Sequence, residues 1–395
     1  MSGIDVDAVR ADTPGCATVI HLNNCGAALP PRPVVDAMVD YLEREARVGG
    51  YEQMAAAAEA VDLVYDAGAR LLGCDLSEVA FTTGASEAWW RAFLSVPLVA
   101  GDRVLVGRTE YVANALALLQ AAERGVSVEV VPDDDTGQID LAALASMLDD
   151  RVALVCLTPI AMTNGLVNPT AEVGALAKEA GAYFLVDACQ AAGHIPIDVE
   201  SWGCDFLSFT GRKFVRGPRG TGMLYVRGTV MDELIPPTFI DGRSATWSDD
   251  AAYHLQPTAR RFELFERSFG AQVGFGVAMD YALALGLEAI EARTSALAER
   301  LRADLAELDG IRVLDTGTRR CGIVTFDVAG MAAAEVTSRL AAVGINTGSP
   351  DITGSRYDVG SRGVTAVVRA GVHYYNTEAE LDRTVEAVAE LRRQA

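Results

Sequence analysis

The sequence predicts an α/β fold in which helices cover both faces of a largely parallel sheet and a smaller α+β domain follows. Short apolar runs alternate with helical patterns from about residue 79 to residue 209, which is typical of a parallel sheet. The run 152–157 is apolar at every position, as expected of a strand covered on both faces. With 395 residues the chain is too long for one ordinary core, so we expect two domains.

The predicted elements follow in chain order. Helical patterns at 33–47 and 54–72 are separated by Gly49 and Gly50, which interrupt helices. Strands of the large sheet are predicted at 79–83, 102–106, 126–131, 152–157, 182–187 and 204–209. A strand at 222–227 follows a short turn and should be antiparallel to its predecessor. Residues 236–257 are predicted irregular and 260–308 helical. Strands at 310–314, 322–327 and 364–370, with helices at 332–343 and 378–393, form the smaller domain.

Composition excludes several classes of function. The 33 basic and 54 acidic residues give a formal net charge of −21, which argues against a nucleic-acid partner. The first residues lack the blocks of a signal peptide, and no apolar run reaches membrane length, so we expect a cytoplasmic protein without a membrane partner. Seven cysteines without a CxxC pair predict free thiols and no metal site. Among them Cys156, Cys189 and Cys321 are expected to be packing residues.

Lysine is nearly absent from this chain, because only Lys178 and Lys213 occur among its basic residues. Lys178 lies in a helical pattern and is expected to be solvated. Lys213 follows a short apolar strand and precedes a glycine-rich turn. Arginine cannot replace an amine that must lose its proton and attack a carbonyl, so Lys213 is the candidate nucleophile.

Two further features indicate what carbonyl this amine meets. A strand, a glycine turn and a helix start meet at Gly84, Ala85 and Ser86, where helix amides and a hydroxyl can cradle a phosphate. The strand 182–187 ends at Asp187, and a carboxylate is the partner that the pyridine nitrogen of pyridoxal phosphate (PLP) requires. Together with Lys213, these residues predict a PLP site.

The motifs resemble those of a known family. Asp187, Gln190 and His194 stand in a Val-Asp-x-x-Gln-x-x-x-His pattern, and Thr210-Gly211-Arg212-Lys213 precedes a Gly-Pro-x-Gly-x-Gly turn. The chain thus resembles the class V aminotransferase-like enzymes of fold type I, in the group of cysteine desulfurases, isopenicillin N epimerases and selenocysteine lyases. Residues 212–222 are most similar to hercynylcysteine sulfoxide lyases of ergothioneine biosynthesis and to lyase-like enzymes of lincosamide antibiotic pathways.

The resemblance implies a mostly parallel seven-stranded sheet in a large PLP-binding domain over residues 21–265, with residues 1–20 and 266–395 in the small domain. It also implies roles for individual residues. Lys213 would carry the cofactor and act as the catalytic base. The implied cofactor-binding residues are Gly84, Ala85, Ser86, Tyr111, Thr163, Asn164, Asp187, Gln190, Thr210, Arg212 and Lys213. Tyr111 would lie on the pyridine ring, and Gln190 would bond the phenolic oxygen. Thr163 and Asn164 would reach either that oxygen or the substrate.

The small domain supplies the evidence on the substrate. Arg369 matches the family's arginine that grips a substrate carboxylate, which implies a small amino-acid substrate. Asn24 and Tyr51 match positions near the substrate, and the loop at Tyr51 often completes the partner's pocket, so a homodimer is expected. A threonine that crosses the dimer to the phosphate in desulfurases is missing near Glu266. The loop 349–363, which carries the nucleophilic cysteine of desulfurases, contains no cysteine.

The predicted reaction is therefore β-elimination from a cysteine S-conjugate or its sulfoxide, giving a thiol or sulfenate, pyruvate and ammonia. The motifs around the cofactor leave an epimerase, an aminotransferase and a decarboxylating deaminase open. A non-catalytic regulator of the same fold is a different class, but it would need a DNA-binding appendage or a lost lysine, and the sequence has neither.

Overall fold

The computed structural model describes residues 3–394 and confirms the predicted α/β class. Its strands are β1 (Ile20–His21), β2 (Val79–Thr82), β3 (Arg103–Val106), β4 (Ser127–Val130), β5 (Val152–Leu157), β6 (Tyr183–Asp187), β7 (Phe206–Thr210), β8 (Gly222–Val226), β9 (Ala245–Asp249), β10 (Ala252–Leu255), β11 (Ile311–Val313), β12 (Ile323–Val328), β13 (Ile345–Asn346) and β14 (Val368–Gly371). Its α-helices are α1 (Val6–Ala11), α2 (Arg32–Val48), α3 (Gly50–Ala56), α4 (Ala58–Leu72), α5 (Ala85–Ser95), α6 (Val112–Glu123), α7 (Leu141–Met147), α8 (Thr170–Glu179), α9 (Val199–Trp202), α10 (Phe269–Leu285), α11 (Leu287–Ala306), α12 (Ala333–Ala342), α13 (Arg356–Ser361) and α14 (Glu378–Gln394).

Seven strands form the large sheet in the order β2-β8-β7-β6-β5-β3-β4. Strands β3 to β7 pair in parallel, whereas β8 is antiparallel to both β7 and β2. Successive residues of β5 point to opposite faces, so Val155 packs in one apolar cluster while Leu154 and Cys156 pack in the other. Both faces are therefore covered, which explains why the strand sequences are continuously apolar.

The small domain is built on the antiparallel sheet β11-β12-β14, and α11, α12 and α14 pack against it. Near the N-terminus β1 pairs in parallel with β13. Leu22, which follows β1, is buried in the apolar cluster between the small sheet and its helices. The division at residue 265 stays a prediction. However, Phe275 and Met279 of α10 belong to the core of the large sheet, which favours a boundary after that helix.

Two parts of the chain differ from the sequence prediction. Residues 236–257, predicted irregular, contain the antiparallel hairpin β9–β10, on which Trp247 is 79% exposed. The predicted helical stretch 260–308 is broken at Gly286, whose φ of +87° ends α10 before α11 begins. Within residues 3–394 no single helix is long and apolar enough to cross a membrane; only the pair α10 and α11, bent by 79°, meets the length and composition criteria together.

Candidate active site

A cavity of about 450 Å³ opens where the carboxyl ends of β5, β6 and β7 meet the start of α5. This is the edge at which parallel α/β sheets place their ligands. It is lined by Cys25, Gly26, Thr83, Gly84, Ala85, Ser86, Glu87, Thr109, Tyr111, Asn114, Thr158, Ile160, Met162, Asp187, Cys189, Gln190, Thr210, Arg212, Lys213, Arg219, Gly220 and Arg369. The volume is in the ordinary range for a cofactor site.

One end of the cavity has the chemistry of an anion site. Helix α5 begins there at Ala85, and its N-cap Gly84 provides no side chain to accept from the first amides. These amides and the positive end of the helix dipole attract a phosphate. Gly222 passes so close that a Cβ would lie 2.6 Å from the Gly84 carbonyl carbon, so only glycine leaves the turn intact. Ser86 and Arg212 line the same cavity, and so does Thr210, whose hydroxyl donates to the Thr221 carbonyl at 3.1 Å.

Lys213 lies three residues beyond the end of β7, inside the cavity. Burial is the main cause that lowers the pKa of its ammonium group, which favours the neutral amine needed for attack on a carbonyl. The neighbouring Arg212 donates from Nη1 to the Gly26 carbonyl at 3.2 Å. This bond holds the segment around Gly26 against the loop that carries Lys213, here called the lysine loop.

Asp187 ends β6 at the floor of the cavity and is 4% exposed. One carboxylate oxygen accepts from the Cys189 amide at 3.0 Å, and the other accepts from the Asn114 side chain at 2.9 Å. These bonds hold the carboxylate in one orientation. The sequence prediction did not include Asn114, although it lies in the segment that contains Tyr111.

Two other predicted cofactor contacts also lie in the cavity wall. Tyr111 is the N-cap of α6 and faces the cavity. Gln190 donates from Nε2 to the Cys25 carbonyl at 3.2 Å, and its buried Oε1 has no hydrogen-bond partner among the described residues. A buried amide oxygen without a partner is costly, and such groups are typical of ligand sites.

Arg369 reaches the cavity from β14 of the small domain and is 7% exposed. Its Nη1 donates to the Met162 carbonyl at 2.8 Å, and its Nη2 has a long contact of 3.4 Å with Asn23 Oδ1. Its Nε is buried without a partner in the part of the chain that the structure describes. The guanidinium group thus keeps donors on one edge for an incoming carboxylate.

Four predicted contacts are not brought to the cavity within this chain. Asn24 is fully buried, donates to the carbonyls of His21 and Gly371, and accepts from Tyr375. The hydroxyl of Thr163 donates to Asp358, and the side chain of Asn164 donates to Thr316 at 2.8 Å. All three therefore join the large domain to segments of the small domain. Tyr51 is 71% exposed on α3 and contacts Phe265.

Two cysteines line the cavity, although Cys189 was expected to be a packing residue and Cys25 was not singled out. Burial raises the pKa of the Cys25 thiol, and it raises that of Cys189 to about 12, with Asp187 adding to the shift. Both groups are therefore neutral thiols near neutral pH. A neutral thiol is a poor nucleophile.

Arg216 joins the lysine loop to the small domain without entering the cavity. Its guanidinium is 1% exposed and donates to the Leu29 carbonyl, the Tyr374 hydroxyl and the Thr13 hydroxyl at 2.8, 2.9 and 2.6 Å. It also lies 4.7 Å from the ring centroid of Tyr375. The backbone of Arg216 has a φ of +64°, which is rare for residues other than glycine.

The described residues fit PLP. A phosphate can occupy the α5 cradle, Asp187 is placed for the pyridine nitrogen, and Lys213 is the one lysine in the cavity wall. No group of three His, Cys, Asp or Glu residues that could hold a metal ion occurs within residues 3–394. The fold and the site together define a PLP enzyme of fold type I.

Comparison with known proteins identifies the family. The aminotransferase class-V family matches residues 20–384, and the chain belongs to that family. The probable cysteine desulfurase of Halobacterium salinarum is 32% identical over 98% of this chain and 97% of its own length. The apo structure of the cysteine desulfurase from Thermococcus onnurineus has a TM-score of 0.92 at 27% identity, with both chains fully covered. A complex of the cystine C–S lyase C-DES with cysteine persulfide shares the fold, with a TM-score of 0.84 at 23% identity over 96% of this chain and 99% of that one.

Proposed function

We propose that this protein is a PLP-dependent carbon–sulfur β-lyase that cleaves a cysteine S-conjugate or its sulfoxide. The products are a thiol or sulfenate, pyruvate and ammonia. One observation carries the proposal: a single cavity joins Lys213, Asp187 and Arg369, but the thiols in its wall have raised pKa values. The site thus has the groups for breaking a bond at the β-carbon of an amino acid but no activated thiol to accept sulfur.

The cofactor, when bound, withdraws electrons from the substrate's α-carbon and so makes its proton removable. Asp187 would hold the pyridine nitrogen in its protonated form, because a buried carboxylate favours a nearby positive charge. Its two hydrogen bonds keep that carboxylate aimed into the cavity. The amides of α5, with Ser86 and Arg212, would bind the phosphate.

Lys213 is the proton carrier in this proposal. As a neutral amine it would accept the α-proton, and burial, which lowers the pKa of the Lys213 ammonium group, favours that form. The electron pair of the carbon–sulfur bond leaves with the sulfur. Lys213, now an ammonium group, can return a proton to the leaving thiolate. Water then converts the remaining three-carbon fragment to pyruvate and ammonia, so the overall reaction consumes one water molecule.

Arg369 would set the orientation of the substrate by binding its carboxylate through Nε and Nη2. The Met162 carbonyl holds Nη1 and so fixes the plane of the guanidinium group. A fixed guanidinium orients the α-carbon relative to Lys213, and orientation of this kind accounts for much of enzymatic rate enhancement.

A cysteine desulfurase is the second candidate, and the names of the relatives favour it. Such an enzyme needs a nucleophilic cysteine, and the loop 349–363 has none. Cys25 and Cys189 are the thiols that could replace it, since both line the cavity. Their raised pKa values argue against this role. The resemblance of residues 212–222 to hercynylcysteine sulfoxide lyases supports the S-conjugate lyase and a role in specialised sulfur metabolism.

The test is a panel of cysteine S-conjugates and sulfoxides, assayed for pyruvate, with free cysteine assayed in parallel for sulfide and persulfide. The Cys25→Ser/Cys189→Ser variant is the matched control. Pyruvate from S-conjugates by both proteins supports the proposal. Sulfur release from free cysteine that the double variant loses identifies a desulfurase instead. An aldehyde with carbon dioxide identifies the decarboxylating alternative, a racemised substrate the epimerase, and amino transfer to a keto acid the aminotransferase.

We further propose that the enzyme is a cytoplasmic homodimer. Several large side chains are exposed on the large domain, including Tyr51, Trp247 and Phe239 at 71, 79 and 70%. Exposed aromatic groups of this size are typical of surfaces that a partner covers. A second copy of the chain is the proposed partner, and Tyr51 would contact substrate in the pocket of that copy.

A further inference from the structure

Glu110 is a buried carboxyl group that the proposed mechanism does not use. It lies between β3 and α6, is 1% exposed, and forms no ion pair with the basic residues in the described part of the chain. Its Oε2 accepts from the Asn114 amide at 3.0 Å, and its Oε1 accepts from the Thr158 hydroxyl at 3.2 Å. A buried carboxyl group without a cation is expensive in its ionised form, so this placement needs a reason.

The position of Asn114 supplies that reason. Its Nδ2 lies 3.0 Å from Glu110 and 2.9 Å from Asp187, so one amide group donates to both acids. The Asn114 side chain is 1% exposed, so water does not compete for these partners. A turned amide would bring its oxygen against the Asp187 carboxylate, which is repulsive. The two acceptors therefore fix the direction of the amide, and the amide fixes the direction of Asp187.

We propose that Glu110 is a positioning residue that holds Asn114 in place and thereby orients Asp187 toward the cofactor nitrogen. This inference rests on the proposed PLP site and assigns Glu110 no contact with cofactor or substrate. An uncharged Glu110 suits the role because Oε2 still accepts from Asn114, while the Thr158 hydroxyl, which can turn, can pair with either form of Oε1. An ionised Glu110 would place two like charges on one amide.

The environment of Glu110 supports the uncharged form. Burial, with the charge of Asp187 as a second cause, raises the pKa of Glu110 to about 8. The groups that face it are Asn114 from α6, Thr158 from the end of β5, Asp187 from β6 and the Cys156 thiol, whose own pKa burial raises. Ser355 of the small domain donates only to the backbone carbonyl of Glu110. None of these groups is a cation.

The experiment compares Glu110→Gln, Glu110→Ala and Asn114→Ala with wild type. Glutamine keeps an acceptor for Asn114 and a donor for Thr158 but carries no charge. The first measurement is the dissociation constant of PLP from the protein, read from the visible absorbance of the bound cofactor. The second is thermal unfolding of each cofactor-free protein. Leu118→Ala is the control for a general loss of stability, because Leu118 is a fully buried apolar residue on the same helix and has no side-chain group that could hydrogen-bond either acid.

We expect Glu110→Gln to bind PLP within about twofold of wild type. Both alanine variants should bind it about tenfold or more weakly, because each disturbs or removes the hydrogen bond from Asn114 to the Asp187 carboxylate. Leu118→Ala should lower the unfolding temperature without changing PLP binding. If the alanine variants bind PLP as wild type does, or if Glu110→Gln is as damaged as Glu110→Ala, the inference is wrong. Wild type that binds no PLP would instead contradict the proposed function.

Discussion

Replacement of Arg369 by alanine should weaken binding of amino acids while leaving binding of the matching amines unchanged. The guanidinium has Nη1 committed to the Met162 carbonyl, but its Nε is buried without a partner and Nη2 has only a long contact. Two charge-assisted bonds to a substrate carboxylate are therefore available. Because the two bonds form one bidentate pair, we count them as a single charge-assisted interaction of about 1.5 to 3 kcal/mol, and its loss should raise the dissociation constant roughly 10- to 150-fold.

The assay uses L-alanine, which has no leaving group on its β-carbon, and ethylamine, which is the same molecule without the carboxylate. Each is titrated into wild type and Arg369→Ala, and binding is read from the absorbance of the cofactor. Arg369→Lys serves as the matched control. Lysine keeps the positive charge but cannot form two parallel hydrogen bonds to a carboxylate. The affinity of Arg369→Lys for L-alanine should therefore lie between those of wild type and Arg369→Ala.

The comparison separates a clamp from a structural arginine. If Arg369 binds the substrate carboxylate, Arg369→Ala should lose much of its affinity for L-alanine but bind ethylamine about as tightly as wild type. Equal losses for both ligands would refute the reasoning, because they would show that removal of the Met162 contact had disturbed the whole pocket.

The remaining predictions concern the amine, the thiols, Glu110 and assembly. Borohydride should fix PLP to Lys213, and mass spectrometry that finds the label on Lys178 instead would contradict the assignment. Conversion of Cys25 and Cys189 to serine should change kcat/KM for S-conjugates by less than about threefold, because neutral thiols do not act in the mechanism. The pKa of Glu110 in the folded protein, about 8, lies above its ordinary value of 4.5, so the cofactor-free wild type should lose stability as pH rises from 4.5 to 8. Glu110→Gln should lose less stability over the same range. Equal dependence of the unfolding temperature on pH in the two proteins would refute this. Sedimentation should show a dimer, and an active monomer would exclude shared pockets.

The sequence was sufficient for the fold and for the residues with distinctive chemistry. Lys213, Asp187 and the Gly84 turn follow strand ends in the chain, and parallel strands bring those ends to one edge. Arg369 lies in the small domain but matches a motif, and the structure places it in the same cavity. Local pattern and motif together therefore predicted ten of the 22 residues that line the cavity.

The sequence failed where a polar side chain had a choice of partners. Thr163 and Asn164 follow β5 at the correct edge, but Asp358 and Thr316 of the small domain accept their hydrogen bonds. Such long-range partners are set by the docking of the two domains and leave no local signal. Asn114 and Glu110 were missed for a related reason, since their role appears only when β3, β5 and β6 are neighbours.

Arg216 links the loop that carries Lys213 to the segment that carries Arg369. Lys213 stands three residues before it, and Arg369 stands five residues before Tyr374, so one buried guanidinium ties the two ends of the substrate site together. In the proposed mechanism Lys213 takes the α-proton and Arg369 holds the carboxylate, so the distance between these two groups would be set outside the cavity. Under the proposed function, variation at exposed lining residues such as Thr83 and Arg219 would change which side chain of an amino acid is accepted while this spacing stays constant. Selection for new substrates is thereby separated from the part of the site that every amino acid shares.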